Sequence, residues 1–174
     1  MRRIVLLCLL PVFILLTNGC GSKATNTQPA FVNKTAVFVA IDDISNLGRA
    51  EQKELQRVIH WMDRDILKRL EKNGFETSLL LDMKNYTSML GNLLIINVMY
   101  FNPGKIANSS KDTIGTGSST LELNYKLLDA RGALLTEWQD GADSIRGGTY
   151  CARTLNRRCL EKITSLRKKL LSVK

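Results

Sequence analysis

The sequence predicts an α+β fold: a two-layer sandwich, with a mixed sheet of about five strands and two main helices packed on one face. Three observations predict it. Short β-rich apolar runs recur at 35–41, 75–81 and 93–101; two long segments carry an apolar residue every three or four positions; and two late segments alternate around a glycine turn. With 174 residues, 44% hydrophobic and 24% charged, the chain has material for one real core. These values exclude a disordered or collagen-like chain.

Residues 35–41 (TAVFVAI) are short and nearly all apolar, which reads as a buried strand. The polar stretch 42–46 follows, and Asn46 is placed to cap a helix starting near Arg49, with Glu51 in its first turn. That helix runs to Asn73, where Gly74 stops it. Leu55, Ile59, Met62, Ile66 and Leu70 form its apolar stripe. Residues 75–81 read as the next strand, and 85–91 as a connection with room for one helical turn. Residues 93–101 (LLIINVMYF) are the most apolar stretch beyond the N-terminal run and should be a central strand, with Ile95 in its buried middle. Residues 102–116, rich in Asn, Ser, Gly and Lys, read as a long loop. Leu121, Leu123, Tyr125 and Leu127 alternate with Glu122, Asn124 and Lys126, a half-buried antiparallel strand. Residues 129–132 (DARG) turn the chain, with Gly132 at positive φ, and 134–140 return. A last helix spans about 149–171, with Ala152, Leu155, Cys159, Ile163, Leu166 and Leu170 on one face.

The N-terminus divides the chain. Arg2 and Arg3 precede an apolar run at 4–16, broken only by Pro11, and small residues follow. This is the pattern of a secretory signal peptide at 1–19, too short for a membrane-spanning helix. Gly19-Cys20 resembles a bacterial lipobox, although Leu16 stands one place early and Thr17 occupies the usual leucine position. The resemblance implies that Cys20 becomes the lipidated first residue; ordinary cleavage to a soluble periplasmic product is the alternative. Residues 21–29 are polar and small, so 20–34 read as the lipidated cysteine and its flexible tether, and 35–174 as a single envelope domain. By resemblance to enterobacterial sorting, Gly21 after the cysteine suggests the outer membrane.

The formal charge of +9 is uneven. Residues 144–174 carry nine Lys and Arg against Glu161 alone. Arg153, Arg157, Arg158, Lys162, Lys168 and Lys169 are therefore candidates for binding an anionic surface, either lipid headgroups or cell-wall polymer. A solvated helix face that happens to be basic is the plainer explanation. Cys151 and Cys159 sit eight residues apart in one predicted helix, about 12 Å, beyond the ~7 Å limit for a bridge. A disulfide requires the helix to begin after Cys151; otherwise Cys159 is a small core residue and Cys151 a free or intermolecular thiol.

His60, the only histidine, projects away from the apolar stripe and reads as exposed. One histidine and two cysteines do not make a zinc site, and no signature surrounds either cysteine as a nucleophile. Asp42-Asp43 at a strand end suit a metal or acid–base pair, but such acids more often serve turns and helix starts. Gly115-x-Gly117-Ser118 lacks the Lys-Ser/Thr of a phosphate loop and precedes a strand. The expectation is a non-enzyme with no cofactor and no metal; export also disfavours nucleic acid.

The Gly115-Thr116-Gly117-Ser118 turn, the alternating strand after it and the Asp129-x-x-Gly132 hairpin together resemble an uncharacterised family of Gram-negative lipoproteins. In that family such a turn and hairpin lead into a C-terminal helix. The resemblance implies a compact domain of the type found in Tol-associated, curli-associated and peptidoglycan-synthase-activating lipoproteins, with no catalytic residues. It points to an accessory or structural subunit of the bacterial envelope, bound to the outer membrane by its lipid and facing the periplasm, with protein partners still to be named.

Overall fold

The computed structural model describes residues 31–41, 47–104 and 117–172. Five strands, β1 (Lys34–Ile41), β2 (Glu76–Leu80), β3 (Asn92–Asn102), β4 (Ser119–Leu128) and β5 (Leu134–Ser144), form one sheet in the order β2-β1-β3-β4-β5. β1 is parallel to both β2 and β3, whereas β3, β4 and β5 are antiparallel neighbours. Helices α1 (Arg49–Lys72) and α2 (Gly148–Leu171) cover one face, which makes the predicted mixed sheet with two helices. Among the described residues, no helix is long and apolar enough to cross a membrane.

Both helices run in the same direction, against β1. Gly148 lies beside Val58, Asn156 donates to the Met62 carbonyl at 3.0 Å, and Arg167 donates to the Asn73 carbonyl at 3.2 Å. The close approach at the start of α2 needs glycine. A Cβ on Gly148 would sit 2.8 Å from Val58 Cγ2 and 3.0 Å from Phe101 Cε2.

Several expectations are corrected in detail. Gly48, not Asn46, occupies the cap position of α1, and its N–H donates to the Glu51 carboxylate at 2.8 Å. Asn46 lies outside the described residues. The buried stripe of α1 is Leu55, Val58, Met62, Ile66 and Leu70; Ile59 is only partly buried. Burial of five such side chains, at about 1.5–3 kcal/mol each, outweighs any difference in helix propensity. β3 is central, but the pleat sends Leu94, Ile96 and Val98 to the helices and Ile95 to the other face. Two 3-10 turns, Met83–Asn85 and Ser88–Leu90, replace the single expected turn. They lie on that second face, where Tyr86 and Leu90 pack against Ala36, Leu80 and Leu93. The reason is topological: the β1–β2 and β2–β3 crossovers run in opposite directions, so one preferred handedness puts them on opposite faces.

Strand β5 extends four residues beyond the predicted end, to Ser144, because β4 supplies partners along its whole length. Asn124, predicted on an open face, is 8% exposed and donates to Glu137 at 3.0 Å. Tyr125 stacks on Trp138 across β4 and β5, with centroids 4.8 Å apart. At the hairpin turn Gly132 has φ of 82°, and the buried Asp129 carboxylate accepts the N–H groups of Arg131 and Ala133, each at 2.9 Å.

Candidate anion-binding face and the two ends of the domain

The strand register defines two ends. At one lie Lys34, Glu76, Asn92 and the hairpin turn, with the C-termini of both helices; at the other lie Ile41, Phe101, Ser119, Ser144 and the helix starts. The chain arrives at the first end. Phe31 packs edge-on against Phe75 with centroids 6.0 Å apart, and Asn92 brackets Val32, donating to its carbonyl at 2.6 Å and accepting its N–H at 3.3 Å. The chain is thus held in place before β1 begins.

All six cations singled out on α2 are exposed, but they are not equivalent. Arg153 lies over the rings of Trp61 and Tyr150, at 5.6 and 5.2 Å. Arg157 pairs with Glu161 at 3.3 Å, and Arg158 with Asp140 at 2.9 Å. Among the described residues, Lys162, Lys168 and Lys169 have no ion pair. The structure therefore separates a partnered group near the start of α2 from unpartnered lysines towards its end. Arg167, absent from the predicted set, stands beside the latter, its guanidinium 5.0 Å from the Phe75 centroid. A groove of about 430 Å³ at this end is lined by Asn73, Thr164, Arg167, Lys168 and Leu171. Helical periodicity could place Arg167, but it could not reveal that Phe75 links it to the incoming chain.

Among the described residues, the other candidates, Cys151, Cys159 and His60, are not assembled into a site. Cys151 and Cys159 are both buried and unbridged inside α2. Helix α2 begins before Cys151, so the geometry that a bridge requires does not arise. Burial raises both thiol pKa values, and Cys151 Sγ donates to the Ser119 carbonyl at 3.2 Å. Cys151 is therefore a core thiol and not a surface one. His60 is exposed on α1, as expected. Asp42, Asp43, Gly115, Thr116 and Cys20 lie outside the described residues. No group of three or more potential metal ligands occurs among the described residues. Asp63 on α1 is unusual: burial raises its pKa to about 6, with His60 pulling it down, and Oδ1 has no partner.

No family model and no curated protein matches this sequence. Solved structures with a similar chain course include a variant of the PelC dodecamer from Paraburkholderia phytofirmans. It is 15% identical, covering 79% of this chain and 92% of that one, with a TM-score of 0.48. A DUF330 protein from Xanthomonas campestris is 11% identical over 82% of this chain and 91% of its own, with a TM-score of 0.48. A minor lipoprotein from Acinetobacter baumannii is 11% identical over 79% and 96%, with a TM-score of 0.41.

Proposed function

We propose that this is a lipid-anchored protein of the bacterial envelope that works through contacts with other envelope proteins, as an accessory or structural subunit without chemistry of its own. The observation that carries this reading is the group of exposed apolar side chains at the end away from the chain's entry. The chain from Cys20 reaches the domain at Phe31, whereas the far end displays apolar side chains. Ile41, Met99, Tyr100, Ile145 and Tyr150 are all more than a third exposed there, Ile145 by 87%. A signal peptide, the cysteine at its end and a polar tether suit a domain held at a membrane, and Gly21 suits the outer one. A photoreactive residue in place of Ile145, irradiated in living cells, tests the protein contacts. One or a few discrete adducts are expected; only uncrosslinked protein, across several far-end positions, counts against the reading.

A second reading, a polyanion-binding module, is favoured by the unpaired Lys162, Lys168 and Lys169. The partnered Arg153, Arg157 and Arg158 contribute less to it, because their charges are already partly met.

A further inference from the structure

We infer that the end of the domain bearing Lys72, Arg167, Lys168 and Lys169 rests on an anionic bilayer, so that the domain stands end-on to the membrane and does not lie along α2. The inference builds on the reading that Cys20 carries the lipid, and four observations carry it further.

The root of the tether and the basic end of α2 meet at one side chain. Phe31 packs on one part of the Phe75 ring and Arg167 lies over its face at 5.0 Å. Whatever brings Phe31 to a surface brings Arg167 with it. Next is the charge at that end: residues 164–171 include Arg167, Lys168 and Lys169 and no acid, and α1 ends on the exposed Lys72. Of the nearby acids, Glu76 pairs with Lys34 and Asp129 with Arg131; Glu71 accepts the Thr77 hydroxyl and keeps its charge, so it offsets one of these four cations. The third observation is reach. Ten residues, 21–30, separate Cys20 from Phe31, a count that cannot span more than about 36 Å in any conformation. Nothing in that count keeps the basic end beyond about one Debye length of the headgroups, the range over which its charges act. The far end is about 25 Å further away along the strands. Last, Leu171 is 53% exposed beside the groove that Arg167 and Lys168 line, and so offers an apolar contact beside the cations.

Each Lys or Arg at an anionic surface contributes about a five-fold preference for the bound orientation. Three or four of them orient a domain that a lipid already holds there, and they weaken as salt screens them. Cations at a helix C-terminus also stabilise the helix itself, so the test must separate orientation from stability.

The test uses the acylated protein purified from membranes and reconstituted into phosphatidylethanolamine–phosphatidylglycerol vesicles, with phosphatidylcholine vesicles as the comparison. A donor dye is attached through Ser172→Cys at the basic end or Ile145→Cys at the far end, and an acceptor is carried on the headgroups. The buried Cys151 and Cys159 stay unlabelled in the folded protein. On the anionic vesicles, energy transfer from position 172 is expected to exceed that from 145 at least two-fold. High salt, or Lys72→Gln with Lys168→Gln and Lys169→Gln, should remove most of the excess while the melting temperature changes little. Equal transfer from both positions, or an excess indifferent to salt and to these substitutions, overturns the orientation. Protein that washes off the vesicles in high salt overturns the anchor instead. Salt-sensitive sedimentation with isolated sacculi, with transfer unchanged between the two vesicle types, would overturn the assignment to a bilayer.

Discussion

Asp63 shows how a single side chain can work against the fold that contains it. Burial disfavours its ionised form, so its folded pKa of about 6 lies above the ordinary carboxylate value. The folded state therefore holds the proton more tightly than the unfolded one. Stability falls as pH rises from about 4 through 6, and the deficit is complete at pH 7. Asp63→Asn should raise stability at pH 7 by about 1 kcal/mol, discounted for partial exposure, and by almost nothing at pH 4. Thermal melts at the two pH values check this, and an equal effect at both would show that ionisation is not the cause. Asp129 is the opposite case. Burial would raise its pKa, but the N–H groups of Ala133 and Arg131 and the Arg131 guanidinium hold it below the usual range. Its stabilisation is present above the unfolded pKa and lost as pH falls through the folded one.

Among the elements, β3 and α2 make the sharpest predictions. Ile96 is fully buried under the helices, and Ile95, one residue earlier, faces the thinner layer made by Tyr86 and Leu90. Ile96→Ala should cost about 2–5 kcal/mol and Ile95→Ala clearly less. Denaturant titration decides, and equal losses would contradict the two-face arrangement. On α2, Ile163 is fully buried, whereas Arg157 and Lys168 are exposed. Ile163→Asp should unfold the domain, because an unpaired charge in a core is expensive. Arg157→Glu with Lys168→Glu should stay within about 0.5 kcal/mol per site, even though the first breaks the exposed pair with Glu161. Circular dichroism of the variants tests both, and a folded, soluble Ile163→Asp protein would mean that this face of α2 does not pack on the sheet.

At the scale of the whole molecule, the two ends differ. The end where the chain arrives carries Lys72, Arg167, Lys168 and Lys169, with Met89, Leu134 and Leu171 exposed nearby; the far end exposes Ile41, Met99, Tyr100, Ile145 and Tyr150. If lipid on Cys20 holds the molecule, Cys20→Ala should move it from the membrane fraction to the periplasm, since acyl chains contribute about 0.8 kcal/mol per buried methylene. Three or four surface cations cannot replace that at high salt. Fractionation of cells expressing the variant checks it, and membrane retention in high salt would show that another element does the anchoring.

Much of the fold was legible because its signals are local. Alternation in β4, the glycine turn at Gly132 and the three-to-four spacing on both helices are consequences of strand and helix geometry, and each recurs in the structure nearly where the sequence puts it. The expected anchor and tether rest on residue order alone and lie outside the described residues. Contacts between distant segments were not legible. Periodicity could not choose between Val58 and Ile59, because the close approach of Gly148, distant in sequence, is what covers Val58. It could not show that Ile95 faces away from the helices, because a pleated strand offers two faces and only the crossovers determine which layer covers each. Nor could it divide the basic residues of α2, which form one run in the sequence. Arg153 and Arg158 are met by Trp61, Tyr150 and Asp140, whereas Arg167 lies over Phe75, the ring on which Phe31 packs. Composition determined that this segment is basic; only the packing of Phe75, α2 and the chain before β1 decided which of its charges lie beside Phe31.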